Sequence, residues 1–165
     1  MKKLLVLLIT VVSVQAWAQY PLAKGGMQLN AGVGLSSWGL PVYVGFDYGF
    51  RKDISLGAEA SFRSYNESIA GKKFGHTIIG FLGNGNYHFN NLLNISDEFD
   101  LYAGLNIGFF VWSSPSGYPG SGASGLGIGG QLGGRYYFNS GFGINLEFGG
   151  GNAFNGGKFG ITKKF

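Results

Sequence analysis

Residues 126–148 read LGIGGQLGGRYYFNSGFGINLEF, and an apolar residue, an aromatic residue or a glycine occupies every second position on each side of Asn139-Ser140-Gly141. The positions between carry glycine or polar residues, among them Arg135 and Glu147. Alternation with a period of two is typical of a β-strand that has one apolar face. Asn, Ser and Gly favour the tight turn that joins two antiparallel strands. The stretch therefore predicts a β-hairpin with one apolar face and one polar, glycine-rich face.

The same alternation recurs along the chain and predicts eight strands. We place them at about residues 26–36, 40–50, 54–65, 74–89, 99–112, 126–138, 142–148 and 157–165, and residues 66–73 as a polar loop. Their lengths suit the roughly 9–11 residues that a tilted strand needs to cross a bilayer. Glycines 83 and 85 weaken the fourth strand, and a bulge there would reverse its faces. There is no room for a second folded domain.

The first 18 residues differ from the rest. Lys2 and Lys3 precede an apolar run over residues 4–14, and Ala16-Trp17-Ala18 matches an A-x-A cleavage site. We interpret residues 1–18 as a secretory signal peptide and residues 19–165 as a single β-barrel domain. A membrane-anchoring helix is the alternative, and the shortness of the apolar run disfavours it. The sequence contains no Cys, so neither a lipoprotein anchor nor a disulfide is expected.

The composition after residue 18 is unusual for a soluble domain. Charged residues are only 12% of the sequence, against about 25% in typical globular domains, while Gly reaches 32 residues and aromatics 16%. Without Lys2 and Lys3 the net charge is about +2, which argues against a nucleic-acid-binding protein. Because lipid tolerates only helices and closed barrels, an exported, charge-poor chain of amphipathic strands predicts a transmembrane β-barrel. A soluble lipocalin-type barrel is the alternative, although its outer face would carry more charge.

An even number of strands puts both termini on one side of the membrane, and the longer connections on the other side indicate that the termini are periplasmic. Aromatic residues are expected at the two membrane interfaces. On the terminal side these are Phe50, Phe89, Phe99, Phe138, Phe142 and Phe165. A second, less regular girdle would consist of Trp38, Tyr65, Phe74, Trp112 and Phe159.

The signal peptide, the eight alternating strands and Phe165 resemble the small outer-membrane β-barrel proteins of Gram-negative bacteria. The resemblance implies an integral outer-membrane location, contact with membrane lipid and lipopolysaccharide, and insertion by the barrel-assembly machinery. It also implies an assembly signal in the last strand, which Phe159, Ile161 and Phe165 match. Lys163 departs from that signal, where an apolar residue is usual, although a lysine near the interface can extend its ammonium group into water.

If the apolar face is outward, the barrel interior receives a set of polar side chains. The set comprises Gln28, Asn30, Asp47, Glu59, Arg63, Asn84, Asn86, His88, Tyr102, Asn106, Gln131, Arg135, Tyr137, Asn145, Glu147, Thr162 and Lys164. An enclosed charge must be paired, because its desolvation otherwise costs several kcal/mol. We therefore predict a charge network in the lumen. Its members are Asp47, Glu59, Arg63, Arg135, Glu147 and Lys164. The network is either a structural core or the lining of a narrow path for ions or small solutes.

Enzymatic chemistry is not expected. Lipid A-modifying enzymes use this fold, and the deacylase among them is characterised by a His-x-Ser nucleophile arrangement. In this sequence neither His76 nor His88 is followed by Ser two residues later. Two separated His without Cys do not suggest a transition-metal site, and no cofactor is expected. The sequence predicts a non-enzymatic outer-membrane barrel with a structural or interaction role, alone or with other envelope proteins. A small-solute channel and a lipid A-modifying enzyme are the alternatives.

Overall fold

The computed structural model describes residues 22–36, 39–120, 124–152 and 155–165, so the predicted signal peptide and its cleavage site lie outside the described residues. Eight strands follow one another along this part of the chain. They are β1 (Met27–Ser36), β2 (Val42–Arg51), β3 (Ile54–Ile69), β4 (Lys72–His88), β5 (Phe99–Ser113), β6 (Gly125–Tyr137), β7 (Phe142–Gly151) and β8 (Gly156–Lys164). A single-turn helix, α1 (Asn90–Leu93), joins β4 to β5.

Each strand pairs antiparallel with the next one in sequence, and β8 pairs with β1. That closing pair runs from Gln28 opposite Lys164 to Ser36 opposite Gly156. Closure leaves no strand edge with unpaired backbone N–H and C=O groups, which is the condition for crossing lipid with strands. The predicted eight-stranded up-and-down barrel is therefore confirmed. In the described residues, no helix has the length and apolar character needed to cross a membrane.

The third connection is shorter than predicted. Residues 66–73 were expected to form a polar loop, and this expectation is wrong. The ladder between β3 and β4 continues through Asn66 opposite Gly75 to Ile69 opposite Lys72, and the chain reverses at Ala70-Gly71. Both turn residues have positive φ, 49° and 79°, as a two-residue hairpin turn requires. A polar stretch of sequence is typical of a loop. A strand that extends beyond the membrane can be equally polar, because it does not need an apolar face.

The bulge that Gly83 and Gly85 would allow in the fourth strand is absent. Gly83 and Gly85 of β4 pair without a break to β3 on one side and to β5 on the other. Pairing on both sides holds the register there even though the glycines supply no side-chain packing. The register shift lies instead between Gly49 and Arg51, at the end of β2. All inward and outward positions of β4 therefore keep the parity predicted from the sequence.

The barrel has an apolar exterior and a polar interior. Leu105 and Leu126 point outward with 73% of their surfaces exposed, whereas Gln28 and Thr162 point inward and are fully buried. This is the inverse of a water-soluble protein, in which large apolar side chains fill the core. An apolar face of this extent is stable only against lipid, so the outward face is the lipid-facing wall.

Candidate functional site

Large inward side chains of the lumen face glycines on neighbouring strands. A Cβ on Gly133 would lie 2.3 Å from the ring of Tyr102, and a Cβ on Gly57 would lie 2.3 Å from Asp47 Oδ1. Glycine is therefore required at both positions for the larger side chains to fit. Alternation of large and small residues fills a narrow barrel in this way.

Arg135 of β6 is the centre of the first charge cluster. Its Nη1 donates to Asp100 Oδ2 and its Nη2 donates to Asp47 Oδ2, both at 2.8 Å. The guanidinium carbon also lies 4.1 Å from the ring centroid of Tyr102. Asp47 accepts a further hydrogen bond from Asn30 Nδ2 at 2.9 Å. The planar guanidinium suits this site because it can bind two carboxylates and stack on an aromatic ring at once.

His88 extends this cluster toward the terminal end, the end of the barrel that carries residues 22 and 165. Its Nδ1 lies 2.7 Å from Asp100 Oδ1, and its Nε2 lies 2.9 Å from Ser55 Oγ. The connectivity is that of a Ser-His-acid triad. However, Ser55, His88 and Asp100 are only 1%, 1% and 2% exposed, which leaves no space for an acyl group beside the serine oxygen. In this geometry the chain of contacts satisfies buried polar groups.

A second charge cluster surrounds Lys158 of β8. Lys158 Nζ lies 2.8 Å from Glu59 Oε1 and 3.1 Å from Glu147 Oε1. Tyr102 donates its hydroxyl to Glu147 Oε2 at 2.9 Å and so connects this cluster to the one around Arg135. Arg135 and Lys158 therefore each pair with one carboxylate on an adjacent strand and with one across the lumen.

Side-chain amides complete the filling of the lumen. Asn106 Nδ2 donates to Gln131 Oε1 at 2.8 Å, and Gln131 Nε2 donates to Asn86 Oδ1 at 2.6 Å. A central cavity of the described lumen, lined by Asn30 and Glu147 among others, measures about 20 Å³. A buried water needs about 10–15 Å³ counted in this way, so the cavity holds about one water molecule.

An aromatic cluster closes the loop end of the barrel, opposite the terminal end. His76 is fully buried, with its ring stacked on Tyr65 at 4.9 Å and edge-on to Tyr118 at 4.5 Å. Within the described residues its Nε2 has no hydrogen-bond partner, and it lies 3.7 Å from Glu67 Oε2. Tyr118, in the loop after β5, donates its hydroxyl to the same carboxylate at 2.7 Å, which raises the pKa of that hydroxyl.

This cluster corrects the predicted second aromatic girdle. Tyr65, Phe74 and Trp112 occupy inward positions of their strands and pack around His76 or Tyr118 instead of facing lipid. Phe159 does point outward, but it lies in the middle of the wall, and Trp38 lies outside the described residues. The second girdle was predicted from the nearness of aromatic residues to strand ends. The direction of each side chain is decided instead by the alternation along its strand.

The amino-terminal segment covers the terminal end. Leu22 is only 2% exposed, and Gly25 N–H donates to Gly49 O at 2.8 Å. Close to this end, the ammonium group of Lys164 lies 4.3 Å from the ring centroid of Tyr137, whose hydroxyl donates to Gln28 Oε1. Side chains therefore obstruct the described lumen at both ends as well as in its centre.

The six predicted network charges all face the lumen and fall into several groups. Asp47 lies on Arg135, while Glu59 and Glu147 share Lys158. The other two are nearer the ends of the barrel. Arg63 is at the loop end, with Nη1 3.3 Å from Ser36 Oγ, and Lys164 is at the terminal end.

Two essential ions were missing from the predicted set. Asp100 was assigned to the polar face of the fifth strand but was not counted among the lumen charges. Lys158 lies inside the predicted strand 157–165 but was not counted either. Its parity with Thr162 and Lys164 was the signal that could have identified it, since residues two apart share a face. Arg135 and Glu147, which were expected as opposite charges, belong to different clusters.

No protein-family model matches the sequence, and no curated protein matches it either. Solved structures do match its fold. Outer membrane protein OprG from Pseudomonas aeruginosa superposes with a TM-score of 0.66 at 14% identity, over 87% of this chain and 97% of that one. Neisserial surface protein A gives 0.55 at 12% identity, over 84% and 93%. Ail of Yersinia pestis, in complex with the heparin analogue sucrose octasulfate, gives 0.55 at 14% identity, over 86% and 99%.

This chain has the fold of the small outer-membrane β-barrels. At these identities the similarity establishes the fold alone. The lipid-facing wall supplies a second, independent argument, for a location in the membrane. Closed antiparallel barrels with an apolar exterior and short turns are the outer-membrane type. The small outer-membrane barrel described here is thus an integral membrane protein in direct contact with lipid, as the alternation along its strands predicted.

Proposed function

We propose that this small outer-membrane barrel is a non-enzymatic, non-conducting envelope protein with a structural or interaction role. One observation carries the proposal: paired charges and amides fill the lumen between its two obstructed ends. The arrangement Asp47–Arg135–Asp100 and the pairing of Lys158 with two glutamates are typical of a cross-linked core. Contact with other envelope proteins would then involve the loops or the outer wall.

Orientation and assembly follow from the same proposal. With the termini in the periplasm, the connection after β5 (residues 114–124) is an outer loop that would meet lipopolysaccharide, and α1 lies at the periplasmic surface. Long connections are typical of the outer side in bacterial barrels. Phe159 and Ile161 point outward along β8, with Phe165 directly after it, where the barrel-assembly machinery would read them.

Conductance across a planar bilayer tests the proposal directly. We expect the purified, folded barrel to give no steady single-channel current, because the central cavity of about 20 Å³ cannot hold a continuous file of water. A barrel of known pore activity in the same bilayer is the positive control. Steady currents that fall when Arg63 or Arg135 is replaced would contradict the proposal and support the channel alternative.

Reactivity of Ser55 tests the absence of enzymatic activity. We expect a fluorophosphonate probe, which labels activated serines, to leave the folded barrel unlabelled, because Ser55 is 1% exposed. The variant Ser55→Ala is the matched control for non-specific labelling. Expression is also expected to leave the mass of lipid A unchanged. Labelling that disappears in Ser55→Ala, or a lipid A mass change that depends on His76 or His88, would overturn the proposal.

A further inference from the structure

The lipid-facing wall contains a groove over strands β5–β8. It encloses about 470 Å³, within the range of about 300–1,000 Å³ that is typical of small-molecule sites. Its walls are apolar, and glycine at an outward position of β6 deepens it. The lining includes Leu101, Leu132, Gly134, Ile144, Leu146 and Phe159. A Cβ on Gly134 would have no atom nearer than Asp100 O at 3.8 Å, so the space above Gly134 is open.

Lys163 lies outside the lining of this groove, near its terminal end. It is opposite Phe142 on β7 and opposite Leu29 on β1, both outward-facing, so it belongs to the lipid-facing wall. Ile144, which lines the groove, is two residues further along β7, or about 7 Å at the usual rise per residue. Lys163 is also the residue at which the last strand departs from the assembly signal.

The ammonium group of Lys163 points toward the β6–β7 turn. Its Nζ would lie 3.0 Å from a Cβ on Gly141, which places it on the groove side of β8 and away from β1. In the described part of the chain, no carboxylate comes within ion-pair distance of this ammonium. Ser140 of the same turn is exposed and has a hydroxyl donor at this level. A lone cation where the wall ends is complementary to an anionic headgroup.

We propose that the groove and Lys163 together bind one anionic phospholipid of the periplasmic leaflet. One acyl chain would lie in the groove over Gly134, and the headgroup phosphate would accept hydrogen bonds from Lys163 Nζ. The inference rests on the proposed orientation with periplasmic termini and does not depend on whether the lumen conducts. A second groove of about 520 Å³, lined by Leu29, Phe46 and Phe81 among others, serves as an internal comparison, because Lys163 is opposite Leu29 but its ammonium group points away from β1.

Native mass spectrometry of the folded barrel tests this site. The full chain is exchanged into mild detergent containing equal amounts of phosphatidylglycerol and phosphatidylethanolamine, and the lipids that remain bound are counted. We expect one phosphatidylglycerol per barrel. Lys163→Gln should lower its retention about fivefold, which is the contribution of one basic residue near an anionic lipid surface. Gly134→Leu, which fills the groove, should lower the retention of both lipids, whereas Lys163→Arg should retain phosphatidylglycerol.

Two matched variants act as controls. Gly83→Leu makes the same substitution in the second groove, where a Cβ would also meet no atom nearer than 3.9 Å, and Lys73→Gln removes a lysine at the loop end. Both should leave phosphatidylglycerol retention unchanged. Equal retention of the two lipids by the natural chain, or unchanged retention by Lys163→Gln, overturns the inference. A gel-mobility shift on heating shows that each variant is folded. Extraction with soluble periplasmic proteins would instead refute the membrane proposal itself.

Discussion

Replacing Arg135 by Met lowers the free energy of unfolding of the barrel by about 3–5 kcal/mol, the loss expected when one partner of a buried ion pair is removed. The guanidinium is the group that binds both Asp47 and Asp100 at 2.8 Å, and both carboxylates are almost fully buried. Without it, two negative charges would face each other in a low-dielectric lumen. Urea titration of the protein in lipid vesicles, followed by tryptophan fluorescence, measures the change.

Two further variants separate the loss of the ion pairs from the loss of packing. Arg51→Met changes an exposed arginine at the end of β2 and should alter the free energy of unfolding by no more than about 0.5 kcal/mol. Combining Arg135→Met with Asp47→Asn and Asp100→Asn removes the unpaired charges and should recover most of the loss. If Arg135→Met alone is as stable as Arg51→Met, the cluster around Arg135 is not a structural core.

Replacing Leu146 by Arg has the largest expected effect on the lipid-facing wall, a loss of about 2–4 kcal/mol in the free energy of unfolding. Leu146 lies midway along β7 and points outward, opposite Gly134 on β6 and Phe159 on β8. A guanidinium there must leave water for hydrocarbon near the centre of the bilayer, where no lumen carboxylate can reach it. The same urea titration in vesicles gives the value.

Leu35→Arg is the matched control for this substitution. Leu35 also points outward, but it lies near the end of β1 beside Gly157, where an arginine can reach the interface and should cost only about 0–1 kcal/mol. The neighbouring Asn145 faces the lumen and donates to the Tyr43 hydroxyl at 2.8 Å. Equal losses for Leu146→Arg and Leu35→Arg would contradict the placement of the bilayer along β7. Equal tolerance of arginine at Leu146 and Asn145 would contradict the assignment of the two faces.

Side-chain direction was predictable because it follows from parity alone. Gln131, Arg135 and Tyr137 are an even number of residues apart, so any strand that puts one of them in the lumen puts all of them there. Lys158 and Asp100 share the parity of the predicted lumen residues Thr162 and Tyr102, so the same rule applied to both, but neither was counted among the lumen charges.

The pairing of the charges required the closed sheet. Arg135 and Asp47 are 88 residues apart and come together only because β6 and β2 face each other across the lumen. The distance between such strands depends on the number of strands and on their stagger around the barrel, which alternation along one strand does not encode. The Ser55–His88–Asp100 chain joins the consecutive strands β3, β4 and β5, so it depends on the register between neighbouring strands.

The sequence by itself determined the class of fold, the eight strands, and which residues face lipid or lumen, because all of these depend on local alternation and turn chemistry. Only the tertiary structure decided which charges pair, that His76 and its aromatic neighbours close the loop end, and that Lys163 lies beside an apolar groove. The physical reason is that these contacts join side chains of different strands, and barrel closure sets the distances between those strands.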